Sequence, residues 1–202
     1  MLGFCRPSDQ AAGQNDRKGT NELDLTLTVW INSLAGSVPI LDGIMILVTG
    51  FGVPVMVLAV VLHWWGREDR RHIRFVAVQA GLSFGLGLAI NQGVLLFVHR
   101  IRPYDVGATH LLVPPSLDWS FPSDHATATF AIVLAFAAQG VPLRTMALFG
   151  AAVLVCLSRV YVGLHYASDI VGGVGTAAAA ALVLRGLIRE DTRLIRFVTS
   201  IL

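Results

Sequence analysis

The sequence predicts an all-α fold of the membrane-embedded kind, a polytopic bundle of five or six helices. Three observations lead there. First, 54% of the residues are hydrophobic and only 14% are charged, where a soluble domain carries about 25% charge. Second, with a mean hydropathy of +0.67, the chain has more apolar surface than a water-facing fold can bury, so it needs a lipid solvent. Third, basic residues cluster in alternate connections between apolar runs, the signature of a multi-pass chain. A net charge of +2, spread over span ends, gives no reason to expect a nucleic-acid partner.

The elements follow in order. Residues 1–21 are rich in Gly, Gln, Asn and Asp and read as a disordered polar tail. They hold no apolar run that would serve as a cleavable signal. The remainder, 22–202, reads as a single membrane domain. Leu23, Leu27, Trp30, Ile31 and Leu34 recur at helical spacing and are interrupted by Asp24, Thr28 and Asn32. That is an amphipathic helix, either lying in the interface or making a poor span. Residues 38–65 are apolar but broken by Pro39, Asp42, Gly50, Gly52 and Pro54. They form one kinked span, or the end of one and the whole of a short second.

After the charged stretch 66–74 comes a clear span, 75–98. Residues 99–124 make a polar loop too long for a plain connector. Spans follow at 126–139, 143–157 and 170–188, the last rich in Ala and Gly, which suits close helix packing. Cys5 and Cys156 read as two isolated thiols.

Basic residues set the orientation. Arg67, Arg70, Arg71, Arg74, Arg144, Arg185, Arg189, Arg193 and Arg196 fall on one side if the spans alternate, and only Arg100, Arg102 and Arg159 fall on the other. The first side is therefore expected to be cytoplasmic. Arg6, Arg17 and Lys18 in the tail favour six crossings over five.

The three exceptions sit in three polar blocks at span ends on the outer side. These are Arg100-Ile-Arg102-Pro103, then Phe121-Pro122-Ser123-Asp124-His125, then Ser158-Arg159 with His165 and Asp169 beyond. Ionisable residues beside spans are costly and are functional candidates by default. Arginine forks suit phosphate oxygens. Ser123, after a proline and before a span, is placed as an N-cap, and a helix starting there aims amides and a positive dipole end at an anion. His165 and Asp169, four apart, share a face if they lie on one helix, so the acid can orient the imidazole. Two histidines and an arginine cradle suffice for in-line attack on phosphorus by one imidazole and protonation of the leaving oxygen by the other. No metal-ligand spacing is visible, and no cofactor is expected.

These blocks resemble those of the type 2 phosphatidic acid phosphatase family, whose fold is shared with the vanadium-dependent haloperoxidases. The third block matches throughout at Ser158, Arg159, His165 and Asp169. The second matches at Pro122, Ser123 and His125, and the first at Arg102-Pro103. The resemblance implies that Arg102, Ser123 and Arg159 bind phosphate. It makes His125 the general acid, His165 the nucleophile and Asp169 its partner. It covers the chain from about Asn91 to the last span.

Two positions depart from the pattern. Leu95 stands where the family has a lysine, with Arg100 nearby as an alternative cation, and Asp124 stands where it has a glycine. Pro-Ser-Asp-His, Arg-x-Arg-Pro and Asn32–Gly36 are similar to the bacterial undecaprenyl-pyrophosphate phosphatase branch. A polyprenyl diphosphate is thus the expected substrate. Phosphatidic acid or phosphatidylglycerophosphate hydrolysis, lipid phosphotransfer and simple lipid-phosphate binding are the alternatives. Asp124 and Arg100 are candidate phosphate-site residues, with a helix-start acid and an interfacial anchor as their plainer readings. Asn91 and Gln92 are expected to bond between helices. Tyr104, Asp105 and Tyr161 are expected to pack at the rim. His63, His72 and His110 receive no role.

Overall fold

The apolar runs become helices. The structure, a computed structural model, describes residues 22–66 and 69–200; the tail with Cys5, and Arg67, lie outside them. A short α1 covers residues 22–32. It is followed by α2 (Pro39–His63), α3 (Arg70–Leu95), α4 (Asp124–Ala138), α5 (Pro142–Tyr161), α6 (Ala167–Leu187) and α7 (Arg193–Ser200). Helices α2, α3, α5 and α6 are long and apolar enough to cross a membrane, and α4 is apolar but has only 15 residues. That makes four candidate crossings among the described residues, with α4 a shorter fifth.

Among the described residues, α1 is too short to make the sixth crossing that the charges of the tail favour. At 1.5 Å per residue it is about 16 Å long, roughly half a bilayer core. Both its ends are held at one end of the bundle. Asp24 accepts from the Ser168 amide at the start of α6 (2.8 Å), and Asn32 donates to the Tyr161 carbonyl at the end of α5 (2.7 Å). The residues that interrupt its apolar pattern form its inward face: Thr28 and Asn32 are buried, while Leu23, Leu27, Trp30 and Leu34 are exposed. Polar side inward and apolar side outward is the arrangement of a helix lying in the lipid interface.

Short α4 is the hub, packed against α3, α5 and α6. Its Ala126, Ala128, Ala131 and Ala135 are buried and let neighbouring backbones approach closely. Thr127 Oγ1 reaches the Gly173 carbonyl of α6 at 3.0 Å. A Cβ on Gly173 would lie 2.5 Å from the Ser123 carbonyl oxygen, so only glycine allows this crossing. Helix α2 is the most apolar and least buried of the four long helices, as a peripheral lipid-facing helix should be. It is a single helix with Pro54 inside it, so residues 38–65 do not split into two spans. Gly52 lets it meet α5 at Val155.

The end away from α1 carries α7 and exposed charge. Arg74 donates to the carbonyls of Trp64 (3.2 Å) and Thr199 (2.9 Å), and Arg71 pairs with Asp191 at 3.2 Å. His72, which had no partner legible in the sequence, lies between Glu190 and the Gln139 carbonyl, 3.1 Å from each.

Candidate active site

The C-terminal ends of α3 and α5 and the N-terminal ends of α4 and α6 meet at the same end of the bundle, and residues 96–123 fold over them. Backbone bonds hold that loop: Leu112 N to Val162 O (3.1 Å) and Ser120 N to Arg100 O (2.9 Å). Asn32 of α1 clamps it from outside, binding both the amide and the carbonyl of His110. Gly163 turns the chain between α5 and α6 at φ +85°, where a side chain would strike the His110 carbonyl. Beneath the loop lies a cavity of about 110 Å³ lined by Arg102, Asp118, Asp124, His125, Arg159 and His165, with Leu95, Ser116, Trp119 and Pro122 completing the wall.

His165 and Asp169 do not share a helix. His165 ends the turn before α6, Tyr166 is the N-cap, and Asp169 is the third residue of the helix, where its Oδ2 accepts from the Tyr166 amide at 2.9 Å in a capping box. The two side chains still approach, Nδ1 to Oδ2 at 3.4 Å. The shorter contact of Nδ1 is the Ser120 carbonyl, at 2.9 Å. A carbonyl only accepts, so this bond places the proton on Nδ1 and leaves the lone pair on Nε2. Nε2 lies 3.4 Å from Nη1 of Arg102. Burial, opposed by Asp169 and reinforced by the cations Arg159 and Arg102, holds the His165 pKa below its ordinary value. The imidazole is therefore neutral at pH 7.

Arg102 is buried and spread over loop and turn. It donates from Nε to the Asp118 carbonyl (2.9 Å), from Nη1 to the Leu164 carbonyl (2.9 Å) and from Nη2 to Asp118 Oδ1 (2.7 Å). Burial opposes ionisation of Asp118, but bonds from Ser116 and Arg102 outweigh it and hold this carboxyl below its usual range. Arg159 is held far more loosely. Its Nη1 donates to Thr49 Oγ1 of α2 at 2.9 Å, and its buried Nε has no hydrogen-bond partner among the described residues. It is a permanent charge, nine-tenths buried, on the cavity wall with a donor to spare.

Ser123 is the N-cap of α4, accepting from the Ala126 amide; it is fully buried and does not line the cavity. Its own amide donates to the Asp169 carbonyl (3.1 Å), which ties the start of α4 to the start of α6. Asp124, the first residue of α4, accepts from Asn91 Nδ2 at 2.7 Å, and the same nitrogen reaches Thr127. Asn91 thus bonds between helices as expected, and it turns one Asp124 oxygen away from the cavity. His125 lines the cavity in the first turn of α4, against the Thr49 carbonyl.

Arg100 is not brought to the cavity. Its Nη1 donates to Asp169 Oδ1 and Ser168 Oγ, and its Nη2 to Asp24 Oδ2, each at 2.6 Å, while the guanidinium stacks 3.9 Å over the Tyr166 ring. The cation expected to stand in for a phosphate-binding lysine is spent on carboxylates behind His165, and Leu95 keeps that part of the wall apolar.

Four residues of the site were not singled out from the sequence: Ser120, Thr49, Asp118 and Asp24. Ser120 Oγ donates to Asp169 Oδ2 at 2.5 Å, so this serine serves both members of the His165–Asp169 pair. A serine inside a Trp-Ser-Phe-Pro loop and a threonine inside an apolar span carry no local mark of such contacts. The partners of Asp118 and Asp24 lie 16 and 76 residues away along the chain. Among the described residues, no group of three His, Cys, Asp or Glu side chains is placed to hold a metal ion.

The chain as a whole is similar to known proteins. The undecaprenyl-diphosphatase BcrC of Bacillus subtilis is 32% identical over 150 residues, 73% of this chain and 75% of that one. A putative undecaprenyl-diphosphatase of Escherichia coli, YbjG, is 32% identical over 153 residues, 75% and 76% of the two chains. The fold matches the crystal structure of a transmembrane PAP2-type phosphatidylglycerolphosphate phosphatase from Bacillus subtilis with a TM-score of 0.61 at 22% identity, covering 87% of this chain and 89% of that one. Residues 76–193, from α3 to the start of α7, match the PAP2 superfamily, and this multi-pass membrane chain belongs to that superfamily as one of its phosphatases.

Proposed function

We propose that the chain is a metal-independent lipid diphosphate phosphatase, acting at the outer face of the cell membrane on a polyprenyl diphosphate of the undecaprenyl class. Hydrolysis yields the lipid monophosphate and inorganic phosphate through a phosphohistidine at His165. The observation that carries this reading is the pairing of two features on one small cavity: the His165 Nε2 lone pair, and the unsatisfied buried guanidinium of Arg159. The names of the relatives at 32% identity point to the same substrate class.

In the proposed reaction the terminal phosphoryl group enters the cavity and Arg159 and Arg102 hold its oxygens. Nε2 of His165 attacks phosphorus in line. The N–P bond forms, the P–O bond to the bridging oxygen breaks, and His125 gives that oxygen its proton. The positive charge on the phosphorylated ring is balanced by the Ser120 carbonyl and Asp169 on Nδ1–H. A water, deprotonated by His125, then attacks phosphorus, releases inorganic phosphate and restores His165. Ser123 acts by fixing where α4 begins, and Asp124 by anchoring that turn to α3 through Asn91. The charge needed on the equatorial oxygens is supplied by the two arginines.

The cavity, at about 110 Å³, is well below the ~300–1,000 Å³ of pockets that enclose drug-sized ligands. It suits a head group whose tail remains in the bilayer. Placement on the outer face rests on the opposite end, where Arg70, Arg71, Arg144, Arg189, Arg193 and Arg196 gather.

The test is phosphate release by purified protein in detergent with EDTA, with undecaprenyl diphosphate and phosphatidic acid offered separately and His165→Ala as control. The expected result is release favouring the diphosphate and absent in the variant. Release that requires added magnesium, or that persists in His165→Ala, would overturn the mechanism.

A further inference from the structure

The cluster behind His165 has more charge than a simple histidine–acid pair needs. The two oxygens of the buried Asp169 are divided between different tasks. Oδ1 is taken by Arg100 at 2.6 Å. Oδ2 receives Ser120 Oγ and the Tyr166 amide and faces His165 Nδ1. Arg100 in turn is gripped by Asp24 of α1 (2.6 Å), whose carboxylate also accepts from the Ser168 amide and hydroxyl. Thr28, one turn further along α1, accepts from the Ala167 amide at 3.0 Å. The free first-turn amides of α6 are thus satisfied by side chains of α1. The chain of contacts runs from the interfacial helix through Asp24, Arg100 and Asp169 to His165.

We infer that Arg100 and Asp24 are positioning residues for the His165 nucleophile, and that α1 is the part of the fold that delivers them. This rests on the phosphohistidine reading above. Arg100 pins Asp169 by one oxygen so that the other keeps its place beside Nδ1, and its charge offsets that of Asp169. Without Arg100 the buried Asp169 carboxylate stands uncompensated next to the imidazole. Asp24 keeps the guanidinium in register by holding the far prong of its fork.

The charged and titratable groups around the pair come from every packed element: Asp24 from α1, Arg100, Arg102 and Asp118 from the loop, Asp124 and His125 from α4, Arg159 from α5, and Tyr166 before α6. Among these, Arg100 is the cation bonded directly to Asp169. Its loss therefore strengthens the pull of Asp169 on a proton at His165. The acid limb of activity must then move to higher pH, since an opposite charge at this range shifts a pKa by about 1–3 units.

The test compares Arg100→Gln, Arg100→Lys and Asp24→Asn in the full chain in detergent. It reads kcat and KM against pH on undecaprenyl diphosphate, together with the His165 titration followed by NMR of 15N-histidine-labelled protein and assigned with His165→Ala. Arg100→Gln is expected to lower kcat about 10²-fold, the scale of a 1 Å misplacement of a reacting group, with KM nearly unchanged and both titrations shifted up by about one unit. Arg100→Lys keeps the charge but cannot reach Asp24, Ser168 and Asp169 together; it should lose about tenfold in kcat with the limb in place. Asp24→Asn should behave as Arg100→Lys does.

Wild-type kcat in Arg100→Lys and Asp24→Asn would overturn the inference even if Arg100→Gln fails to fold. Lowered melting temperature with an unmoved limb in Arg100→Gln would reduce Arg100 to a structural tie. Wild-type protein that releases no phosphate from any lipid phosphate would sink the hydrolase reading instead; the NMR titration would still decide whether Arg100 controls His165.

Discussion

The two ends of the bundle both carry arginines paired with acids, and they use them differently. At the α7 end, Arg71 and Asp191 meet at 3.2 Å with side chains 52% and 94% exposed. Such a pair is worth about 0–1 kcal/mol and is screened by salt. At the α1 end, Arg102 is 3% exposed, Arg159 9% and Asp169 0%. Removing charges like these from water costs several kcal/mol each unless bonds return it. The bonds are returned for Arg102, by carbonyls and Asp118, and for Asp169, by Arg100, Ser120 and Tyr166. They are returned only in part for Arg159. In the proposed function this partly satisfied charge is where the phosphate binds.

The comparison can be broken at either end. The largest effect is expected at Arg159. If Arg159 holds the phosphate as proposed, Arg159→Gln should lower kcat about 10²–10³-fold in a steady-state phosphate-release assay, the cost of losing one preorganised transition-state donor. A fall under threefold would mean that the free guanidinium is not a ligand.

Next is pH. In the proposed reaction His165 must be neutral to attack, and burial with two nearby cations pushes its pKa down. As pH falls through that lowered value the imidazole becomes protonated, and kcat/KM declines about tenfold per unit. The acid limb should therefore lie below pH 6.5, the ordinary histidine value. A limb at or above pH 7 would contradict the neutral-nucleophile geometry.

Asp118 should give a smaller and opposite effect. It occupies Arg102 Nη2 on the cavity wall and, in the proposed reaction, would compete with the phosphate for that donor. Asp118→Asn should lower KM for the diphosphate by about threefold, a change of under 1 kcal/mol; a rise in KM would show that the carboxylate aids binding. At the other end Arg71→Ala and Asp191→Asn should leave turnover unchanged and move stability by no more than about 0.5 kcal/mol. A large loss of activity in either would erase the distinction between the ends.

Much of the site was legible before the fold was known, because chemistry-bearing residue types stood at span ends where lipid makes them expensive. Arg102, His125, Arg159 and His165 all line one cavity, although they come from three separate blocks of the chain. The local geometry was less legible. His165 and Asp169 were read as one helical face, yet the helix begins between them; they meet because Asp169 closes a capping box and folds back toward the turn.

The spacing in α1 allows an interfacial helix or a poor span, and its geometry is that of the first, but the direction of its polar side was less legible. Asp24, Thr28 and Asn32 looked like flaws in a span, since amphipathicity read from sequence assumes that the polar side seeks water. Here that side seeks the α6 amides, Arg100 and His110. Arg100 stands close in sequence to Arg102, but its guanidinium is taken by Asp24, Ser168 and Asp169, whereas that of Arg102 reaches Asp118 and the Leu164 carbonyl. Ser120 and Thr49 could not be found from sequence, because their contacts depend on which backbone stands opposite in three dimensions.

The central claim is that a phosphoryl group rests on His165 during turnover. The direct measurement is to mix the enzyme with undecaprenyl diphosphate labelled with 32P in the terminal phosphoryl group. The reaction is quenched in alkali within one turnover, and the protein is then digested to find the label. The account expects alkali-stable, acid-labile label on the peptide that carries His165, and none in His165→Ala. Label on any other residue, or turnover with no protein-bound label at the earliest times, would contradict it.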